Sequence, residues 1–157
     1  MEEFTFFWSG PFSQWHPCVF VVNGVEYNCA EQFMMHSKAI FFSDYDIAEM
    51  ILREQLPREQ KALGRQVKNF RAGDWNRNAK GFVYLGNFAK FYQNAKLMKK
   101  LKNTRGTTLV EASPHDKIWG IGLREDDERA QDRKTWLGTN WLGETLTQVR
   151  EDLFNEK

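Results

Sequence analysis

The sequence is poor in the features that mark metal proteins, nucleic-acid binders and membrane proteins. It has two cysteines, Cys18 and Cys29, and three histidines in 157 residues. The cysteines lack CxxC spacing and a partner set of histidines, so no zinc site or disulfide framework is expected, and a reduced pair fits better. No metal or organic cofactor is expected. Charge of one sign is also missing, since Lys+Arg at 22 against Asp+Glu at 21 leaves a net charge of +1. That excludes a global basic field, so nucleic acid could be held only through a local patch. No apolar run approaches the roughly 18 residues of a membrane span, and Met1-Glu2-Glu3-Phe4 has neither a basic n-region nor an apolar h-region. The expectation is a soluble, cytoplasmic protein with no membrane contact. Repeats, low-complexity linkers, GxGxxG, a P-loop and the strand-helix alternation of a doubly wound fold are all absent.

What is present fits one domain over 1–157, long enough to bury about two thirds of its unfolded surface. Aromatic residues make up 15% of the chain, with six tryptophans, more rings than a core requires. Stacking on a ligand ring is one use for the surplus.

The chain reads as an α+β domain, mainly helical, with a small antiparallel sheet or hairpin. Residues 4–8 form a short strand. Residues 19–22 and 25–27 form a hairpin, because Asn23-Gly24 supplies the positive φ of a type I′ turn. Asn28-Cys29-Ala30-Glu31 opens a helix to about Phe42, and Asp44 caps the next, to about Leu56. Pro57 suits the first turn of a third helix to about Val67. Asp74 caps a fourth, to about Tyr92, weakened by Gly81 and Gly86, and 95–101 forms a fifth. The last, about 140–154, puts Leu142, Leu146, Val149 and Leu153 on one stripe. Trp75 is assigned to the core.

Two constellations carry chemistry. The β-prone run 107–110 empties into Glu111-Ala112-Ser113-Pro114-His115-Asp116-Lys117-Ile118-Trp119-Gly120-Ile121-Gly122, where two carboxylates and an indole share irregular backbone. This is either a ligand loop or a turn whose Asp116 caps amides while Trp119 fills a gap. On the helix after the hairpin, Glu31 and Lys38 differ in direction by only about 20° and lie about 10.5 Å apart. Both could reach one ligand over the soft floor of Met34 and Met35. For Glu31 the alternative is a capping box with Asn28, in which the carboxylate merely bonds backbone; for Lys38 it is a solvated surface lysine. His16, His36 and His115 read as exposed or half-buried rather than catalytic. Phe12-Ser13-Gln14-Trp15-His16-Pro17 is an aromatic loop that serves either as a wall of the same pocket, through Phe12 and Trp15, or as an ordinary hydrophobic lid.

Those motifs occur in order with Gly64-Arg65 and Asn140-Trp141-Leu142-Gly143-Glu144-Thr145-Leu146, and together they resemble the YbiA-like, or NADAR, family over nearly the whole chain. The resemblance implies a compact, mainly helical fold and an N-glycosidase acting on a ribose-linked base. Its substrates would be phosphoribosylamino-pyrimidine intermediates of riboflavin synthesis, or ADP-ribose carried on guanine, including guanine in nucleic acid. Carried over by position, Glu31, Lys38 and Glu111 are the catalytic candidates, and Arg65, Asp116, Trp119 and Asn140 the substrate-binding ones. The sequence departs from many relatives at Gln14 and Trp15, where those have Asn and Phe, which puts the pocket rim in question more than the chemistry. Arg65 with the amides near Gly120 and Gly122 would hold phosphate, or else form a surface ion pair.

Two other function classes compete with the enzyme. One is a noncatalytic ADP-ribose or nucleotide-binding module serving signalling or phage conflict. The other is a plain interaction domain, in which the charged residues of the two constellations would not converge. Glu111, Asp116 and Trp119 are expected to face the helix that carries Glu31 and Lys38. Oligomeric state is not legible.

Overall fold

A computed structural model describes residues 1–155. It contains six α-helices and two separate two-stranded pairs, an α+β architecture that is mainly helical. The chain groups into two compact units, Gln14–Asn94 and, in two segments, Met1–Ser13 with Ala95–Lys157.

In the unit Gln14–Asn94, β2 (Phe20–Val22) and β3 (Val25–Tyr27) pair antiparallel, with Phe20 opposite Tyr27 and Val22 opposite Val25. Asn23 and Gly24 take φ of 50° and 78°, the left-handed pair that a type I′ turn needs. Helices α1 (Ala30–Phe41), α2 (Tyr45–Arg53), α3 (Pro57–Gly64) and α4 (Ala72–Tyr92) follow. Phe20, Tyr27 and Phe33 form a buried aromatic cluster. Gly86 is the notch that admits it to α4, because a Cβ there would lie 2.5 Å from the Phe33 ring. Trp75 is buried and stacks on Phe82 at 5.7 Å.

Helix starts depart from the sequence reading at two places. The cap of α1 is Cys29 rather than Asn28: its Sγ accepts from the Gln32 amide at 3.4 Å, while Gln32 Oε1 accepts from the Asn28 amide at 2.7 Å. Cys29 and Gln32 thus replace the expected Asn28/Glu31 pair, with the Gln32 side chain reaching the Asn28 amide just before the cap. The start of α4 lies at Ala72 after Arg71, with no side-chain cap; Asp74 sits in the first turn and pairs with Arg71 and Arg77. A carboxylate there is as favourable to the helix dipole as a cap, which is why its position alone misleads. Asp44 caps α2 as expected and also accepts from the Lys68 amide at 2.9 Å. Pro57 opens α3.

In the other unit, β1 (Phe4–Phe7) pairs with β4 (Thr108–Glu111), Phe4 opposite Thr108 and Phe7 opposite Glu111. This pair is parallel, whereas the antiparallel element read from the sequence is the β2–β3 hairpin. Alternation along a strand reports which face is buried, not which way its neighbour runs, and a parallel partner requires a long crossover. Here that crossover runs through every helix up to α5 (Ala95–Lys102). Two 3-10 turns, Glu128–Gln131 and Arg133–Thr135, precede α6 (Trp141–Leu153). Val110, Ile121, Leu123 and Ala130 form a buried cluster against Phe4, Phe6 and Trp136. On α6, Leu142, Leu146 and Val149 are fully buried. Among the described residues no helix is long and apolar enough to cross a membrane.

Asn140 fastens α6 to β4. It is fully buried in the left-handed region at φ 53°. Its amide nitrogen donates to the Leu109 carbonyl, and its amide oxygen accepts from the Glu111 N–H, both at 3.0 Å. Gly143 permits that approach, because a Cβ there would lie 2.1 Å from the Leu109 oxygen. Asn140→Ala strands two buried backbone groups and places alanine at positive φ, so urea unfolding should show a loss of about 2–5 kcal/mol. A variant within about 0.5 kcal/mol of wild type would show that these bonds contribute nothing net.

Candidate active site

On α1 the Asn28 amide is taken by Gln32 rather than by Glu31. The capping bonds belong to Cys29 and Gln32, so Glu31 is not the carboxylate of an Asn28 box. Its side chain is nevertheless buried, with 6% exposure. Its backbone N–H donates to the Gln14 carbonyl at 2.9 Å. Gln14 thereby fixes loop and helix together: its Oε1 also accepts from Asn87 Nδ2 on α4 at 2.8 Å, and its Nε2 points at Met34 Sδ at 3.9 Å. Gln14 is thus a three-way tether. Trp15 beside it remains exposed.

Lys38, two turns after Glu31, is half-buried rather than solvated. Its ammonium lies over the Phe70 ring at 4.4 Å. Burial lowers its basicity, the Glu31 carboxylate opposes that shift, and the Arg65 guanidinium adds to it. Glu31, Lys38 and Arg65 are therefore one electrostatic group. Met34 and Met35 are buried, and a Cβ at Gly64 would lie 2.0 Å from Met35 Sδ, so the end of α3 closes against α1 at this glycine. Arg65 is the next residue and the C-cap of α3. It is exposed and belongs to no ion pair among the described residues, which removes the surface-pair alternative.

In the other unit, Glu111 ends β4. Its N–H is held by Asn140, and its carbonyl accepts from Ile121 at 3.0 Å. Its carboxylate oxygen Oε2 is buried. A Cβ at Gly120 would lie 2.9 Å from the Glu111 carbonyl, 3.0 Å from the Asp116 carbonyl and 3.2 Å from Oε2, so Gly120 is the residue that lets the loop fold back over Glu111. Asp116 Oδ1 accepts from the amides of Ile118 and Trp119 at 2.9 and 2.8 Å. Trp119 is half-buried and meets Trp141 edge to face at 5.5 Å. The structural-turn reading therefore describes Asp116 and the Trp119 backbone well. Asn140 is likewise a positioning residue, since both ends of its amide are held by β4. Phe12 packs edge-on against Phe7 at 5.8 Å.

His36 accepts or donates one bond with the Tyr27 hydroxyl at 2.9 Å, and burial lowers its pKa. His115 is exposed and pairs with the Trp8 ring at 6.0 Å. Cys18 and Cys29 are free thiols, and among the described residues no group of three His, Cys, Asp or Glu is arranged to hold a metal. One residue was missed entirely. Lys90 on α4 is fully buried, and desolvation brings its pKa down to about 8. The signal was the helical period itself, because Trp75, Ala79, Val83, Gly86 and Lys90 share one buried stripe.

An α+β, mainly helical fold with a buried glutamate and a half-buried lysine on one helix face defines the class. The chain belongs to the NADAR domain family, which matches residues 6–154. It is 44% identical over 135 residues to the Caenorhabditis elegans protein irg-1, covering 85% of this chain and 64% of that one. It is 42% identical over 146 residues to an N-glycosidase of Acanthamoeba polyphaga mimivirus, covering 90% of this chain and 86% of the viral protein. Among solved structures, the NMR structure of the E. coli protein YbiA superposes with a TM-score of 0.79 at 26% identity, covering 98% of this chain and 86% of YbiA.

The charge coupling on α1 has a signed consequence. Glu31→Gln should lower the Lys38 pKa further, and Arg65→Ala should raise it toward that of an ordinary lysine. Titration of lysine ε-methylene NMR signals measures both. Movement in the same direction in the two variants, or none in either, would contradict the grouping.

Proposed function

We propose that this chain is an N-glycosidase that hydrolyses the bond between a base and a phosphorylated ribose or ADP-ribose. The observation that supports it is Glu31, a buried carboxylate on the same helix as Lys38, whose basicity burial lowers. The name of the viral relative, an N-glycosidase, supports the same reaction class.

Cleavage at the anomeric carbon passes through an oxocarbenium-like state, which is stabilised by negative charge beside C1 and by a cation or proton donor on the departing side. In this scheme Glu31 stabilises the cation and orients the attacking water, as one carboxylate of a glycoside-hydrolase pair does. Glu111, whose Oε2 is buried at the end of β4, is the other carboxylate that the sequence puts forward as catalytic. Lys38 has two chemically distinct roles open to it. As an ammonium it stabilises negative charge on base or phosphate. As a neutral amine it adds to C1 of the opened sugar, the base leaves with a proton, and water later hydrolyses the imine. Lowered basicity raises the neutral fraction that the second role needs. Arg65, exposed and in no ion pair among the described residues, suits a phosphate.

The purified protein should release free base and phosphorylated sugar from a phosphoribosylamino-pyrimidine or from ADP-ribosylated guanosine, detected by mass in parallel incubations. Tight binding of either compound without release would replace the enzyme with a binding module. Borohydride added during turnover decides between the roles of Lys38: a reduced sugar adduct on Lys38 marks the imine, and active enzyme with no adduct leaves the ammonium role.

A further inference from the structure

The near-neutral net charge hides a strongly uneven distribution. Residues 96–105, Lys-Leu-Met-Lys-Lys-Leu-Lys-Asn-Thr-Arg, hold five cations and no carboxylate, which leaves 17 cations against 21 carboxylates in the remainder of the chain. The structure turns most of this segment into α5. Leu97 and Leu101 are buried, while Lys96, Lys99, Lys100, Lys102 and Arg105 are exposed. At about 100° per residue, Lys96, Lys99 and Lys100 fall within an arc of about 100°. None of the five belongs to an ion pair among the described residues. Lys102 instead lies over the Phe154 ring at 5.7 Å.

The helix itself does not account for this pattern. Lysines in the last turn suit the dipole, but Lys96 stands in the first turn, where a carboxylate is preferred. Lys96 with Lys100, and Lys96 with Lys99, are like-charged neighbours at spacings that destabilise a helix.

We infer that the exposed face of α5 is a docking surface for the phosphate backbone of nucleic acid. Charge complementarity selects a polyanion, and a lysine row without bidentate arginine geometry suits sequence-independent phosphate contact. A lipid surface fits less well: Leu97 and Leu101 are already taken into the core, so α5 has no apolar face to insert. This inference concerns unmodified nucleic acid and stands apart from the proposed hydrolysis.

The test is fluorescence anisotropy with an unmodified labelled duplex of about 20 base pairs, on the full chain. With three to five phosphate contacts, affinity should fall about 40- to 500-fold between about 50 and 200 mM salt. The variant Lys96→Glu/Lys99→Glu/Lys100→Glu should lose at least about tenfold at the lower salt, and its log-log salt slope should shrink by about three. The reversal Arg53→Glu/Arg58→Glu/Lys61→Glu changes net charge equally and should retain binding; circular dichroism melting checks that both variants fold. Failure of the wild type to bind duplex at the lower salt would overturn the inference, as would equal loss in the two variants. So would α5-dependent binding confined to vesicles of phosphatidylcholine with about a quarter phosphatidylserine.

Discussion

The start of α1 is held by one knot of amide side chains, and the placement of the candidate carboxylate depends on it. Gln32 accepts from the Asn28 amide and donates to the Ile51 carbonyl at 3.1 Å, where α2 ends. Gln60 on α3 accepts from the Cys29 thiol at 3.1 Å and donates to Asn28 Oδ1 and the Glu54 carbonyl at 3.0 and 2.8 Å. Both glutamines are buried, and an unmade bond inside a core costs about 1–3 kcal/mol. The knot therefore fixes α1 against the ends of α2 and α3 without using Glu31. With Gln32 and Cys29 doing the capping, the Asn28 amide does not draw on the Glu31 carboxylate.

The same logic of borrowed backbone bonds holds the second carboxylate. Glu111 is fixed through its main chain by Asn140 and Ile121, Leu109 is held by Asn140 and by Thr147 Oγ1 at 3.0 Å, and Gly120 and Gly143 supply the space. Asp116 ties the following turn. A carboxylate on so determined a backbone would lose little entropy in orienting a ligand, which is what positioning catalysis requires.

Much of the fold was legible because the decisive signals were local. Asn23-Gly24 fixes a hairpin turn whatever surrounds it, Pro57 opens a helix, and the stripe of Leu142, Leu146 and Val149 faces a core. The parallel pairing of β1 with β4 was not legible, since about a hundred residues separate the strands and alternation carries no direction. The cap of α1 failed for a subtler reason: Asn28 is the better capping residue by type, but Gln32 can satisfy its amide from one turn on and so moves the helix start to Cys29. Of the candidate site, residue types and spacing placed Glu31 and Lys38 on one helix face. They could not show that Lys38 is half-buried over Phe70, or that Asp116 and Asn140 are committed to backbone amides and carbonyls. Lys90 was passed over because lysine is so seldom fully buried.

The central claim is that Glu31 serves chemistry and not the helix. Glu31→Gln keeps the shape and removes the charge, so kcat/KM and the urea midpoint measured on the same preparation separate the two roles. The account predicts a fall in kcat/KM of roughly 10²- to 10⁴-fold with a midpoint no lower than wild type. Full activity, or a loss of activity that merely tracks a lowered midpoint, would contradict it.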